Sequence, residues 1–235
     1  MLGATLSLLS IIAMMTLYKN LVTNAIVATE DAQQDGQIAS ARLTLQRAIQ
    51  AAGYGIENAV TGDSGALELR SGAKLSSGSL TTGSHVTIPG TTKGNLLLWR
   101  YQEGSAIYCR GVLSDNIRDE DDDDDVPGGV YELSVAGSAC TGALIAQTWI
   151  VRPLVSPPRD LGALARGAGD DPTRDAAIVD LAPFQVNKAS CWPYGRNADS
   201  TLTGKGFLQL AYDSAVTLGQ STETTVCLTN FSVTM

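Results

Sequence analysis

Residues 1–53 read MLGATLSLLSIIAMMTLYKNLVTNAIVATEDAQQDGQIASARLTLQRAIQAAG, and the reading of this stretch decides the fold. No charged residue occurs from Met1 to Tyr18, and Lys19 is the only charge as far as Thr29. About 20 apolar residues cross a bilayer as helix, so the segment is long enough for a membrane span. A cleaved secretory signal starts with a basic region ahead of a shorter apolar core. Here no Lys or Arg precedes Lys19. The apolar run then passes, without a linker, into a second pattern. Ile38, Ala41, Leu45, Ile49 and Ala52 recur at spacings of three and four, with Gln37, Arg42, Gln46, Arg47 and Gln50 largely off that stripe. No proline occurs before Pro89, and Gly36 is the only glycine between Gly3 and Gly53. One nearly continuous helix over residues 1–52, roughly 75 Å long at 1.5 Å per residue, is expected, with Gly53 as its stop. Two helices hinged near Gly36 are the alternative.

Beyond Gly53 the apolar period changes to two and turn residues become frequent. Candidate strands are Ala66 to Arg70, His85 to Ile88, Asn95 to Tyr101, Ala106 to Val112, Gly129 to Val135, Leu144 to Val151, Ala177 to Val186, Phe207 to Tyr212 and Thr224 to Val233. Glu103-Gly104-Ser105 reads as a hairpin loop between two of them. The expected fold class is α+β: a long N-terminal helix followed by a β-rich head. That head comprises a first part over 53–156, a Pro/Gly-rich connector over 157–175 and a C-terminal part over 176–235.

The chain has 235 residues, of which 44% are hydrophobic, which is the composition of a folded protein. Its net charge of −8 is local, because Asp119 to Asp125 is an unbroken acidic run. Without that run 17 acidic residues face 16 basic ones, a net charge of about −1. No Lys/Arg cluster exists to meet a phosphate backbone, so nucleic acid is not an expected partner. Cys109, Cys140, Cys191 and Cys227 form no CxxC pair and share the chain with one histidine, His85. Disulfides therefore fit better than a zinc site, and they imply an oxidising compartment. Four cysteines allow three connectivities. The local pairing, Cys109 with Cys140 and Cys191 with Cys227, keeps each bridge on one side of the connector.

Residues 1–9, MLGATLSLL, and residues 45–56, LQRAIQAAGYGI, resemble the minor pilins of type IV pili, especially the PilW-like members, and more distantly the pseudopilins of type II secretion. The resemblance covers about the first 60 residues; the remainder is similar only in being a β-rich head with late cysteines. It implies a single-pass inner-membrane protein with its head in the periplasm. That protein then packs by its helix among other pilin subunits in a helical filament at the cell surface. Gly3, Ala4, Ser7, Ser10 and Ala13 are the small residues that would allow close helix packing in lipid. In that family an acidic residue follows the leader cleavage site by about five positions. Here no Asp or Glu precedes Glu30, so the resemblance implies either a basic leader, Gly and Glu encoded upstream of Met1 or a genuine non-acidic variant. A head of about 180 residues suits a minor subunit better than a uniform shaft. From another class, the alternative is a membrane-anchored binding domain or adhesin that never polymerises.

Other constellations point elsewhere. Gly62-Asp63-Ser64-Gly65 copies the string around a serine-protease nucleophile, but the only imidazole, His85, follows it in the chain, so a turn is expected. Asp121, Asp123 and Asp125 are a weak candidate for a cation loop. An EF-hand needs Gly at its sixth position and Glu at its twelfth; counted from Asp119 the sixth residue is Asp124 and counted from Asp121 it is Val126, so a solvated loop is expected. Trp99, Tyr101, Tyr108, Trp149, Trp192 and Tyr194 fall at strand spacing and read as packing residues. His85 reads as a structural or surface residue. No nucleotide, dinucleotide or nucleophile motif is present, so no enzyme and no cofactor are expected.

Overall fold

The computed structural model describes residues 2–62, 65–76, 79–115, 129–137, 140–155, 184–189, 205–216 and 220–234. Helix α1 (Leu2–Gln50) runs unbroken for 49 residues, through Gly36. The single-helix expectation therefore holds over the hinged alternative. Without proline nothing removes a rung of its ladder. Its threonines bond inward: Thr16, Thr23, Thr29 and Thr44 donate their hydroxyls to carbonyls three or four residues back. A hydroxyl satisfied in this way is tolerated on an apolar helix.

The head is built on a six-stranded antiparallel sheet and a three-stranded one. The first contains β1 (Leu67–Ser71), β4 (Ser84–Val86), β5 (Leu96–Glu103), β6 (Ala106–Asp115), β7 (Gly129–Val135) and β8 (Trp149–Val155), in the order β4-β1-β5-β6-β7-β8. A small hairpin, β2 (Lys74–Ser76) with β3 (Ser79–Thr81), stands apart. The second sheet is β11 (Gln220–Thr234), β10 (Lys205–Val216) and β9 (Gln185–Ala189). The expected turn at Gly104-Ser105 joins β5 to β6, whose register runs from Leu96↔Leu113 to Glu103↔Ala106.

Both faces of the large sheet are buried. Leu67, Leu69, Leu97, Trp99 and Val112 face the end of α1 (Leu45, Ile49, Ala52) and the second sheet (Val186, Leu208, Leu210, Val226, Leu228, Phe231) in one core. The parts of the head before and after the expected connector thus share one core. On the other face Leu96, Leu98, Cys109, Leu113 and Leu133 pack with Ala73, Cys140 and Leu144. Gly111 permits this second layer, because a Cβ there would lie 2.6 Å from Leu98 Cδ2.

One expectation is corrected and one element is new. The segment Leu144 to Val151 is not one strand: Leu144–Ala146 is a single 3-10 turn and β8 starts at Trp149. Leu144 is driven into the second core, and Gln147 Nε2 donates to the carbonyls of Ala143 and Thr141, which closes the chain into a turn. The β2–β3 hairpin was not anticipated, since strands of three residues rich in Ser and Thr carry no period. The expected connector at 157–175 and the strand residues 177–183 lie outside the described residues.

Candidate functional surface: the helix and its junction with the head

Among the described side chains of α1, the first to be buried is Ala41. From Ser7 to Ser40 every described side chain is exposed except half-exposed Thr23. Within this length Leu9–Ile26 is long and apolar enough to cross a membrane, and none of it is buried. At 1.5 Å per residue these 18 residues measure about 27 Å, close to the roughly 30 Å hydrocarbon thickness. Leu9, Ile11, Ile12, Met14, Met15 and Leu17 are each more than half exposed. A folded head alone cannot account for so much bare apolar surface.

The small residues expected to pack fall partly together. Placed at 100° per residue, Gly3, Ser7 and Ser10 share one stripe within about 60°, while Ala4 and Ala13 lie about 60° beyond its two edges. Ser7, Ser10 and Ala13 are exposed.

The far end of α1 is held from several directions. Asn230 on β11 donates through Nδ2 to the carbonyls of Gln50 (3.3 Å) and Ala52 (2.8 Å), which the helix end leaves without intrahelical partners. Gly53, at φ 73°, turns the chain, and its N–H donates to Arg100 O. The Phe231 ring lies over Gly53 so closely that a Cβ would sit 2.8 Å from it. The next residue closes the junction: Gln102 N–H donates to Tyr54 O at 2.8 Å. The resembling segment 45–56 is thus the socket that joins helix to head.

Charged groups are also drawn inside. Glu68 is fully buried and its Oε1 accepts from Arg70 Nη1 at 2.6 Å. Arg70 also donates to Thr82 O and Gly83 O, tying the turn before β4 to β1. Burial pushes the Arg100 guanidinium below its ordinary value, against the attraction of Glu68. Burial raises the Asp115 carboxyl, against the Leu75 N–H it accepts and the nearby Lys74. The Tyr131 hydroxyl is raised by burial and then by Asp115. Asn95 bonds both the N–H and the carbonyl of Ala73, fastening the small hairpin to the sheet. These groups organise the second layer of the head, and sequence reasoning had not singled them out.

The cysteine expectation is met where it falls on described residues. Cys109 and Cys140 form a disulfide with Cα atoms 5.4 Å apart, and Cys227 is disulfide-bonded as well. Cys191 and the candidate cation loop Asp121, Asp123, Asp125 lie outside the described residues, as do Trp192 and Tyr194. Trp99 is buried, Trp149 packs against the second core, and Tyr101 stacks on Tyr108 with ring centroids 5.3 Å apart. In Gly62 to Gly65 a turn is closed by Gly65 N–H donating to Gly62 O, while Asp63 and Ser64 are outside the described residues. His85 is exposed on β4 opposite Arg70. Among the described residues no group of three His, Cys, Asp or Glu could hold a metal. The open cleft between Pro89–Thr91 and β9–β10 is lined by Gln185, Asn187, Lys188 and Gln209, a polar wall with no acid–base pair. No protein-family model, curated protein or solved structure matches the chain.

Proposed function

We propose that this chain is a structural subunit of a type IV pilin-like filament, held by α1 in the membrane before assembly and packed through it afterwards. The observation that carries the reading is the length of bare helix between membrane segment and head. After Ile26 the helix continues for 14 residues, about 21 Å, to Ser40, and its described side chains stay exposed. A plain anchor has no use for such an extension, whereas helices stacked side by side would cover it. The rigid socket at Gly53 and Asn230 would keep the head at a fixed angle to that stack. In this reading the membrane is the inner one and the head is in the periplasm, where the disulfides form. Bulk makes the chain a minor subunit, and its partners are other pilin subunits.

The test is whether the full chain, produced in a pilus-bearing cell, sediments with sheared filaments. Ser7→Leu makes the segment more apolar, so membrane retention is expected to persist while incorporation falls at least fivefold, because the bulkier side chain blocks close approach. A wild-type chain found only in membranes, with no copy cross-linked to another pilin, would refute the reading in favour of a membrane-anchored binding domain.

A further inference from the structure

The first 41 residues carry only four charges, Lys19, Glu30, Asp31 and Asp35. Lys19 is exposed and stands inside the apolar segment Leu9–Ile26, seven residues from its head-side end. In lipid such a charge is costly unless the long side chain reaches the interface or meets a counter-charge, and seven residues are about 10 Å of helix. In a closely packed bundle of apolar helices the interface is gone, and Lys19 needs an acid. Its own helix offers none within reach: Glu30 is 11 residues away, about 16.5 Å along the axis. Eleven residues at 100° return to within about 20° of the starting direction, so Lys19 and Glu30 occupy the same face, three turns apart. Asp31 falls about 120° and Asp35 about 160° off that face. Between them the face carries Val22 and Ile26, both exposed.

We propose that Lys19 sets the stagger of the assembled helices by pairing with Glu30 of a second copy, displaced about 16.5 Å along the axis; the inference rests on the filament reading above. A single membrane span orients every copy alike, so neighbours lie parallel. In register, parallel neighbours would set Lys19 against Lys19 and Glu30 against Glu30, which repel. Shifted headward by three turns, one copy brings its Lys19 level with Glu30 of the copy below. If the helices of a bundle turn this face to a common axis, each copy gives Lys19 to one neighbour and Glu30 to the next, and the pairing continues without end. Charge complementarity thus selects the occupant of the face, another molecule of this chain or a pilin carrying the same two charges, and the offset at which it sits.

Disulfide trapping tests this directly, because the described cysteines are already bonded and an introduced thiol reports alone. Two distinguishable full-length chains, one Lys19→Cys and one Glu30→Cys, are produced together in the pilus-bearing cell and oxidised. The mixed dimer is expected in at least tenfold excess over dimers formed by either variant alone. In a separate arm, Lys19→Glu is expected to lower incorporation at least tenfold, and Lys19→Glu with Glu30→Lys in one chain to restore it. Self-linking of Lys19→Cys would show helices in register and overturn the stagger while leaving the filament intact. Linking of Thr23→Cys to Ile26→Cys, which lie on this face either side of the midpoint between the two charges, would show an antiparallel pair and overturn it as well. Failure of the double reversal to restore incorporation would also overturn it. Copies that cross-link at none of these positions would overturn both the stagger and the filament reading.

Discussion

Replacing Ile49 by Ala is expected to loosen the joint between helix and head by about 3 kcal/mol. Ile49 is fully buried in the core shared by α1, the large sheet and the second sheet. The substitution removes three carbons, whose transfer from water contributes about 0.8 kcal/mol each, or about 2.4 kcal/mol. An unrelaxed void of about 50 Å³ adds roughly 1.2 kcal/mol at about 24 cal/mol per Å³. The better helix propensity of Ala returns about 0.4 kcal/mol. Leu43, two turns from the joint and 64% exposed, is the internal control: Leu43→Ala is expected to change stability by less than about 0.5 kcal/mol. The assay is urea unfolding of the detergent-solubilised full chain, followed by the fluorescence of buried Trp99. At a slope of about 2 kcal/mol per M, the Ile49→Ala midpoint falls by roughly 1.5 M. A fall no larger than that of Leu43→Ala would mean that the helix end is not part of the head's cooperative core, and the rigid-socket argument would fail.

Two further outcomes concern the head. Removing the Cys109–Cys140 bridge, with its sequence separation of 31, by Cys109→Ala with Cys140→Ala is expected to cost about 3.7 kcal/mol on the chain-entropy estimate, measured by the same unfolding assay. A change below about 1 kcal/mol would show that the loop it closes is already ordered without it. For Asp115 the sign follows from its raised value: the folded state holds the proton more tightly than the unfolded one, so its contribution is full below the ordinary value of 3.8 and is lost as pH rises through the folded value. Asp115→Asn keeps an oxygen to accept the Leu75 N–H and cannot ionise. Its melting temperature is expected to exceed that of the wild type at pH 7, with the difference shrinking towards pH 3. A variant less stable at pH 7 would show that the carboxylate's bonds outweigh its burial.

The helix was legible because an apolar run long enough to cross a membrane and an amphipathic stripe are both written into one proline-free stretch. Strands β5 to β7 and the turn at Gly104 were legible for the same reason, a clear period bounded by turn residues. What the periodicity could not convey is that the large sheet has two buried faces. In Leu67-Glu68-Leu69-Arg70 an alternating pattern points Glu68 and Arg70 to solvent, yet the β2–β3 hairpin and the turn at Leu144 cover that side. The buried ion pair follows from the covering, which is a tertiary fact. Asn230 was equally unreadable, as nothing local distinguishes an asparagine in a strand that caps a helix 180 residues earlier. The small-residue positions were legible as candidates, but helical geometry brings only Gly3, Ser7 and Ser10 into one line.

That cap has a consequence for biosynthesis. The helix leaves the ribosome first, while Asn230 and Phe231, which clasp its end, are made some 180 residues later. At about 5–20 residues per second, the helix waits roughly 10–40 s for the strand that completes its socket. Throughout that interval the stripe of Ala41, Leu45 and Ile49 is without its final cover. The helix is thereby complete long before its socket can be closed, and any release of the unfinished chain would leave a long apolar helix with no seat in its head.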